Sequence, residues 1–181
     1  NLFVEQTEQL LAILGILEPF HLVGLSMGGP ISATFANRQP EALRSLTLVD
    51  PLVTNIFASG TKPLQVPILG EILMTYYLAP FVLGPSQSDD LHHPETFPQW
   101  QAHYKEQMCY KGFRRAILST MRCIAKEDTL GIYRELAQKE LPVLIIRGEQ
   151  DRTISFEDIQ TLRETLPGHR FAGIPDAEIG R

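Results

Sequence analysis

Apolar residues at Val4, Leu10, Leu11, Leu14 and Leu17 recur at helical spacing, so the chain opens on a predicted helix over 4–17, with Gly15 weakening its last turn. The period then changes. His21 to Leu25 is short and mostly apolar and reads as a buried strand. From Ser26 onward, Ile31 and Phe35 lie four apart on the inner face of a helix that ends before Pro40. Leu46, Leu48 and Val49 form a second short strand, closed by Asp50-Pro51. Strand, helix, strand predicts an α/β fold with a mostly parallel sheet and crossover helices.

Beyond residue 52 the texture alters. Prolines, glycines and aromatics crowd together from Val53 to Lys139, and no strand pattern holds. Helical spacing is present over Ile68–Ala79, Tyr104–Met108, Gly112–Ala125 and Asp128–Gln138, while the polar stretch Ser86–Pro94 reads as a loop. Residues 53–139 therefore read as a helical insertion between two parts of one sheet, residues 1–52 and 140–181. In the last part, Val143, Leu144, Ile145 and Ile146 form a continuous apolar run, as expected of a strand buried on both faces. Ser155 with Asp158 predicts a helix N-cap, Pro167-Gly168 stops that helix, and Phe171 to Ile174 is the last strand.

Composition narrows the function classes. The chain has 181 residues, a formal net charge of -5 and 44% hydrophobic residues, which suits a folded domain with a real core. Nucleic-acid binding requires clustered cations, and the one dense basic spot, Arg114-Arg115 near Lys111, reads as a solvated helix face. Cys109 and Cys123 make neither a disulfide framework nor a zinc spacing, and no His/Asp/Glu cluster has ligand spacing, so neither metal nor other cofactor is expected. The most apolar stretch, Val66 to Leu83, contains Pro67, Gly70, Glu71 and Pro80, which argues against a membrane span. The first residue is Asn1, so a preceding targeting segment is open, and the compartment is unassigned, with the cytoplasm slightly favoured.

The strongest chemical signal is Gly24-Leu25-Ser26-Met27-Gly28, a G-x-S-x-G motif that follows a predicted strand and opens a predicted helix. A turn this tight leaves little room two residues before and after the serine, so Gly24 and Gly28 are expected to relieve a clash while Ser26 takes strained geometry. Its hydroxyl would project above the sheet at a helix N-terminus, where free N–H groups favour negative charge, and the Met27 N–H would be one oxyanion donor. A second element is Gly148-Glu149-Gln150-Asp151, directly after the strand 142–146. Catalytic groups gather at the carboxyl ends of parallel strands, and a carboxylate there can orient an imidazole and stabilise imidazolium. Asp151 is the candidate acid; Asp50, at the end of the neighbouring strand, is its rival.

These segments resemble the lid-bearing α/β-hydrolases, a family of esterases, monoacylglycerol-type lipases and meta-cleavage C–C hydrolases. The likeness runs through His21–Gly29, Leu48–Pro51 and Pro142–Asp151, in the family's order, over nearly the whole chain from Val4 to Ile174. It implies that 53–139 is a lid and that the catalytic order is serine, acid, histidine. It also implies that the family's first strands and oxyanion loop would precede Asn1, and that the histidine would follow the last strand. His21, His92, His93, His103 and His169 fit that position badly. The chain thus reads as the C-terminal two-thirds of such a fold, inactive on its own, with strand 21–25 left as an apolar edge that favours self-association. The resemblance implies hydrolysis of a carboxylic ester through an acyl-enzyme on Ser26, with an apolar acyl or aromatic small molecule as substrate. The alternatives are C–C bond hydrolysis by the same triad and a non-catalytic hydrolase-like binding protein.

Overall fold

A computed structural model describes residues 1–54, 62–85, 95, 97–151 and 153–175. In chain order it contains α1 (Leu2–Leu14), β1 (Phe20–Leu25), α2 (Gly28–Arg38), β2 (Leu43–Val49), α3 (Lys62–Gln65), α4 (Leu69–Leu73), a π-helical continuation Met74–Leu83, α5 (Trp100–Met108), α6 (Phe113–Ile124), α7 (Thr129–Leu136), β3 (Val143–Gly148), α8 (Phe156–Thr165) and β4 (Arg170–Ile174). The chain divides into two compact units, one of residues 1–54 and 128–175, the other of the described residues between 62 and 127.

The first unit is a four-stranded sheet in the order β1-β2-β3-β4, and each neighbouring pair is parallel. Leu25 pairs with Val49, and Val49 with Ile146, so three strands end together at one carboxyl edge. The apolar runs of the two central strands, β2 and β3, are covered by packed helices, whereas β1, expected as a buried strand, has only Gly24 buried because it ends the sheet. Phe35 of α2 and Leu46, Leu48 and Ile145 of the sheet are all buried, as are Ile159 and Leu162 of α8. The Phe35 ring lies 6.0 Å from that of Phe20. Helix ends follow local chemistry. Gly15 caps α1 in the left-handed region, and Ser155 Oγ accepts from the Asp158 N–H at 3.0 Å at the start of α8. β1 lies at the outer position of the sheet, with Val23 62% exposed, so the apolar edge expected from the sequence is present.

One element falls on the other side of the boundary drawn from the sequence. Helix α7, expected inside the 53–139 insertion, belongs to the first unit and packs on α2. Buried contacts that spacing cannot show hold it there. The Tyr133 hydroxyl donates to the Leu52 carbonyl at 3.0 Å, the Thr129 hydroxyl donates to Val53, and the Asn37 amide donates to the Ile132 carbonyl at 3.0 Å.

The second unit is helical among its described residues, with a small core of Leu64, Met74 and Leu118. Ile68 has φ 69 and ψ -52, and the Leu69 N–H donates to the Pro67 carbonyl at 2.8 Å, a γ-turn of the strained, positive-φ kind. Arg122 braces that turn. Its guanidinium donates to the Leu64 carbonyl at 2.7 Å and to both Glu71 carboxylate oxygens, at 2.6 and 3.2 Å. The expected helix over 68–79 runs on to Leu83 because its turns widen to π-helical, with Pro80 inside. His92, His93 and the whole of the loop read over 86–94 lie outside the described residues.

Candidate active site

The carboxyl edge begins at Ser26. β1 delivers the chain to Leu25, and Ser26 then turns at φ 50. A side-chain-bearing residue at positive φ costs on the order of 1–2 kcal/mol and persists only where its surroundings over-determine it. Three backbone hydrogen bonds do so. The Ser26 N–H donates to Val49 at 3.0 Å, and the Ser26 carbonyl accepts from Gly29 and Leu52, both at 2.9 Å. The half-buried side chain stands where α2 begins, and its hydroxyl has no hydrogen-bond partner among the described residues. Met27 takes helical φ and ψ and N-caps α2 without a side-chain hydrogen bond. The first N–H groups of a helix lack intrahelical acceptors and carry partial positive charge, so this edge favours an anion.

The glycines divide the steric work differently from the expectation. A Cβ on Gly24 would overlap Ser32 Oγ and the Gly28 carbonyl oxygen, with the Gly28 carbonyl carbon at 2.8 Å. A Cβ on Gly29 would sit 2.5 Å from Pro51 Cβ and 2.9 Å from the Tyr133 hydroxyl, whereas one on Gly28 would meet nothing within 4 Å. Close approach therefore constrains Gly24 and Gly29. At Gly28 the motif's glycine meets no such clash among the described residues.

Asp151 follows β3 and is buried. Its Oδ1 accepts from the Thr153 N–H at 2.6 Å and the Ile154 N–H at 3.2 Å. Its Oδ2 is also buried and has no partner among the described residues. Buried polar atoms are nearly always satisfied, so a free carboxylate oxygen marks a place for a donor. Ser26 and Asp151 stand at the ends of β1 and β3, with β2 between them. Two strand spacings amount to roughly 10 Å, a gap that a third side chain could span.

Between them lies Asp50, fully buried at φ 35, its two carboxylate oxygens 3.2 and 3.1 Å from the Gly148 nitrogen, whose N–H they accept. Its carboxyl is pushed up from 3.8 to about 6. Burial is the main cause; the Gly148 hydrogen bond opposes it, the Asp151 charge adds to it and Arg147 opposes it. A folded pKa above the unfolded one means the native state takes up the extra proton. The contribution to stability is full below about 3.8 and lost as pH rises through about 6. Ionised Asp50 should thus cost roughly 2–3 kcal/mol at neutral pH. Urea unfolding of Asp50→Asn is expected to show a gain of that order near pH 7.5 and almost none near pH 4. Equal gains at both would remove ionisation as the cause.

Arg147 was not singled out from the sequence. It is buried at the end of β3, with its guanidinium donating to the carbonyls of Ile154 at 3.1 Å, Ser155 at 3.2 Å and Asp151 at 3.4 Å. Its signal was present as the one charge in the otherwise apolar run Val143–Gly148. Among the described histidines of this unit, His21 bonds Ser45 Oγ near the start of β1, and His169 bonds the Leu166 carbonyl just before β4. Both lie at the far end from Ser26, and no described residue fills the place of an imidazole base. His103 is on α5 of the second unit. Among the described residues no group of three or more His, Cys, Asp or Glu could hold a metal, and no helix is long and apolar enough to cross a membrane.

Comparison with known proteins places this edge in context. Residues 2–178 match the family described as alpha/beta hydrolase fold. The monoacylglycerol lipase abhd6-B of Xenopus laevis is 25% identical over 175 residues, which cover 91% of this chain and 51% of that protein. Two solved structures share the fold. A thermophilic esterase from Thermogutta terrifontis has a TM-score of 0.69 at 22% identity, covering 93% of this chain and 61% of its own. The 2-hydroxy-6-oxo-6-phenylhexa-2,4-dienoate hydrolase of Rhodococcus sp. strain RHA1 has a TM-score of 0.68 at 22% identity, covering 97% and 62%. The chain thus spans between half and two-thirds of the length of these relatives.

Proposed function

Because the chain belongs to the alpha/beta hydrolase fold family, we propose that the protein it represents is a serine hydrolase acting on a carboxylic ester, with Ser26 as nucleophile. The observation that carries this reading is the strained Ser26 at φ 50 between β1 and α2, its hydroxyl without a partner among the described residues and beside a helix N-terminus that has no side-chain cap. Ser26 Oγ attacks the ester carbonyl while a histidine, not identified among the described residues, takes its proton. The Met27 N–H is one donor to the oxyanion. Asp151 Oδ2, buried and without a partner among the described residues, receives the imidazole N–H and stabilises the imidazolium. Collapse expels the alcohol, which takes the proton back from the imidazolium, and water then releases the acid by the same path in reverse. The lid role of the insertion is also part of this proposal. The second unit exposes Ile72, Tyr76 and Phe81, apolar chemistry that favours an apolar acyl or aromatic substrate.

Fold alone does not fix the chemistry; the alternative is C–C bond hydrolysis, and one relative in structure is named a 2-hydroxy-6-oxo-6-phenylhexa-2,4-dienoate hydrolase. The same serine, acid and base arrangement could serve that reaction, so it stands as the second reading. Labelling by a fluorophosphonate tests the first step common to both. This chain would be compared with the same chain joined to a relative's remaining strands and histidine-bearing segment, each with and without Ser26→Ala. Labelling that needs Ser26 supports the proposal, and ester and ring-fission substrates then separate the two readings. An extended protein that folds but never labels would turn the assignment toward a binding protein.

A further inference from the structure

Of the two buried carboxyls at the carboxyl edge, the mechanism above uses one. Asp50 is the other, and its surroundings do not explain it as packing. Among the described residues its two oxygens share a single donor, the Gly148 N–H, although a carboxylate can accept about four hydrogen bonds. An asparagine would accept the same hydrogen bond, tolerate the same positive φ and carry no buried charge. A charge kept where a neutral isostere would suffice needs a use.

The hydrogen bonds around Gly148 indicate one. Gly148 ends β3, and its carbonyl accepts from the Asp151 N–H at 3.1 Å. Asp50 therefore grips the residue on which the acid-bearing turn hinges. From the other side, Arg147 gathers the carbonyls of Asp151, Ile154 and Ser155. The Glu149 N–H donates to Ile174 at 3.1 Å and ties the turn to β4. With the turn clamped on both sides, and Oδ1 of Asp151 committed to Thr153 and Ile154, Oδ2 has one direction left to it.

We propose that Asp50 is a positioning residue for hydrolysis: its carboxylate, acting through the Gly148 N–H, sets the chain at residues 148–151 so that Asp151 Oδ2 meets the base. This inference rests on the serine-hydrolase reading. The charged groups that bear on Asp50 are Asp151, whose like charge opposes its ionisation, and Arg147, whose charge favours it. Tyr133, from α7, keeps its hydroxyl on Leu52 and is held protonated by burial. Because a neutral carboxyl is a weaker acceptor than a carboxylate, the grip on Gly148 loosens as Asp50 takes up a proton.

The test compares fluorophosphonate labelling rates of the Ser26 protein and its Asp50→Asn variant from pH 5 to pH 8, in whichever of the two proteins above labels. The ratio cancels the titration of the base, which both share. It is expected to be roughly tenfold near pH 8, within the 10²-fold that a 1 Å misplacement can cost, and to approach one near pH 5, where both proteins carry an uncharged residue. A merely structural role would give a ratio that does not change with pH, and that result overturns the proposal. A second measurement needs no variant. The Gly148 amide shift, followed by NMR in this chain, should titrate with the midpoint found in the labelling ratio or, should the variant fail to fold, within the acid limb of the labelling rate. A flat Gly148 response also overturns it. Should Gly148 titrate while no protein labels at Ser26, the serine-hydrolase reading has failed instead, and the positioning role falls with it.

Discussion

Asp151→Asn should lower the rate of Ser26 labelling by about 10³–10⁴-fold while leaving the fold intact. The asparagine carbonyl can take over the two N–H groups of Thr153 and Ile154 that Oδ1 now accepts, so the turn keeps its hydrogen bonds. Its amide then stands where Oδ2 is now buried without a partner among the described residues, and a donor faces the base in place of an acceptor. The imidazole would be held in the wrong tautomer, and its cationic form would lose a countercharge, the source of losses of this size in serine hydrolases. Stability should change by about 1 kcal/mol or less, because one unsatisfied buried atom replaces another. Labelling kinetics together with urea unfolding separates the outcomes. A tenfold loss or less would displace Asp151 as the acid. A large loss accompanied by a large drop in stability would assign it a structural role.

Gly24→Ala should be damaging through the backbone. Its methyl group would overlap Ser32 Oγ and the Gly28 carbonyl, and the Gly28 carbonyl carbon is main chain, with no rotamer to move away. The turn from β1 into α2 must open. The expected cost is about 2–3 kcal/mol of stability, in the range for overpacking a tight site. Labelling should fall by roughly 100-fold, since Ser26 would move with the turn. Gly28→Ala is the internal control. With nothing within 4 Å of its Cβ, and alanine the better helix former, it should leave stability within about 1 kcal/mol of the parent. Thermal or urea unfolding of the two variants side by side checks the pair. Equal damage at both positions would restore the symmetric role that the motif alone implies.

The four strands, the helices between them and the places of Ser26 and Asp151 at strand ends could be read from the chain, because burial writes a period into the sequence. The apolar runs at 21–25, 46–49 and 143–146 became neighbouring strands, and Ser155 capped α8 as its spacing to Asp158 suggested. The turn chemistry around Ser26 was local and therefore legible. Features that depend on partners far apart in the chain were not. The 53–139 boundary missed α7 because what holds that helix to the first unit is a set of single hydrogen bonds from Thr129, Tyr133 and Asn37, and these leave no periodic mark.

By itself, then, the sequence determined the order of strands and helices, the tight glycine-flanked turn at Ser26 and the place of Asp151 just after β3, all properties of segments a few residues long. Only the tertiary structure decided which glycines bear steric load, that Asp50 and Arg147 both hydrogen-bond the backbone around Asp151, and that one carboxylate oxygen of Asp151 is buried without a partner among the described residues. The physical reason is distance along the chain. Asp50 and Gly148 lie 98 residues apart, and their hydrogen bond exists because β2 and β3 pair in parallel and bring both to the same edge.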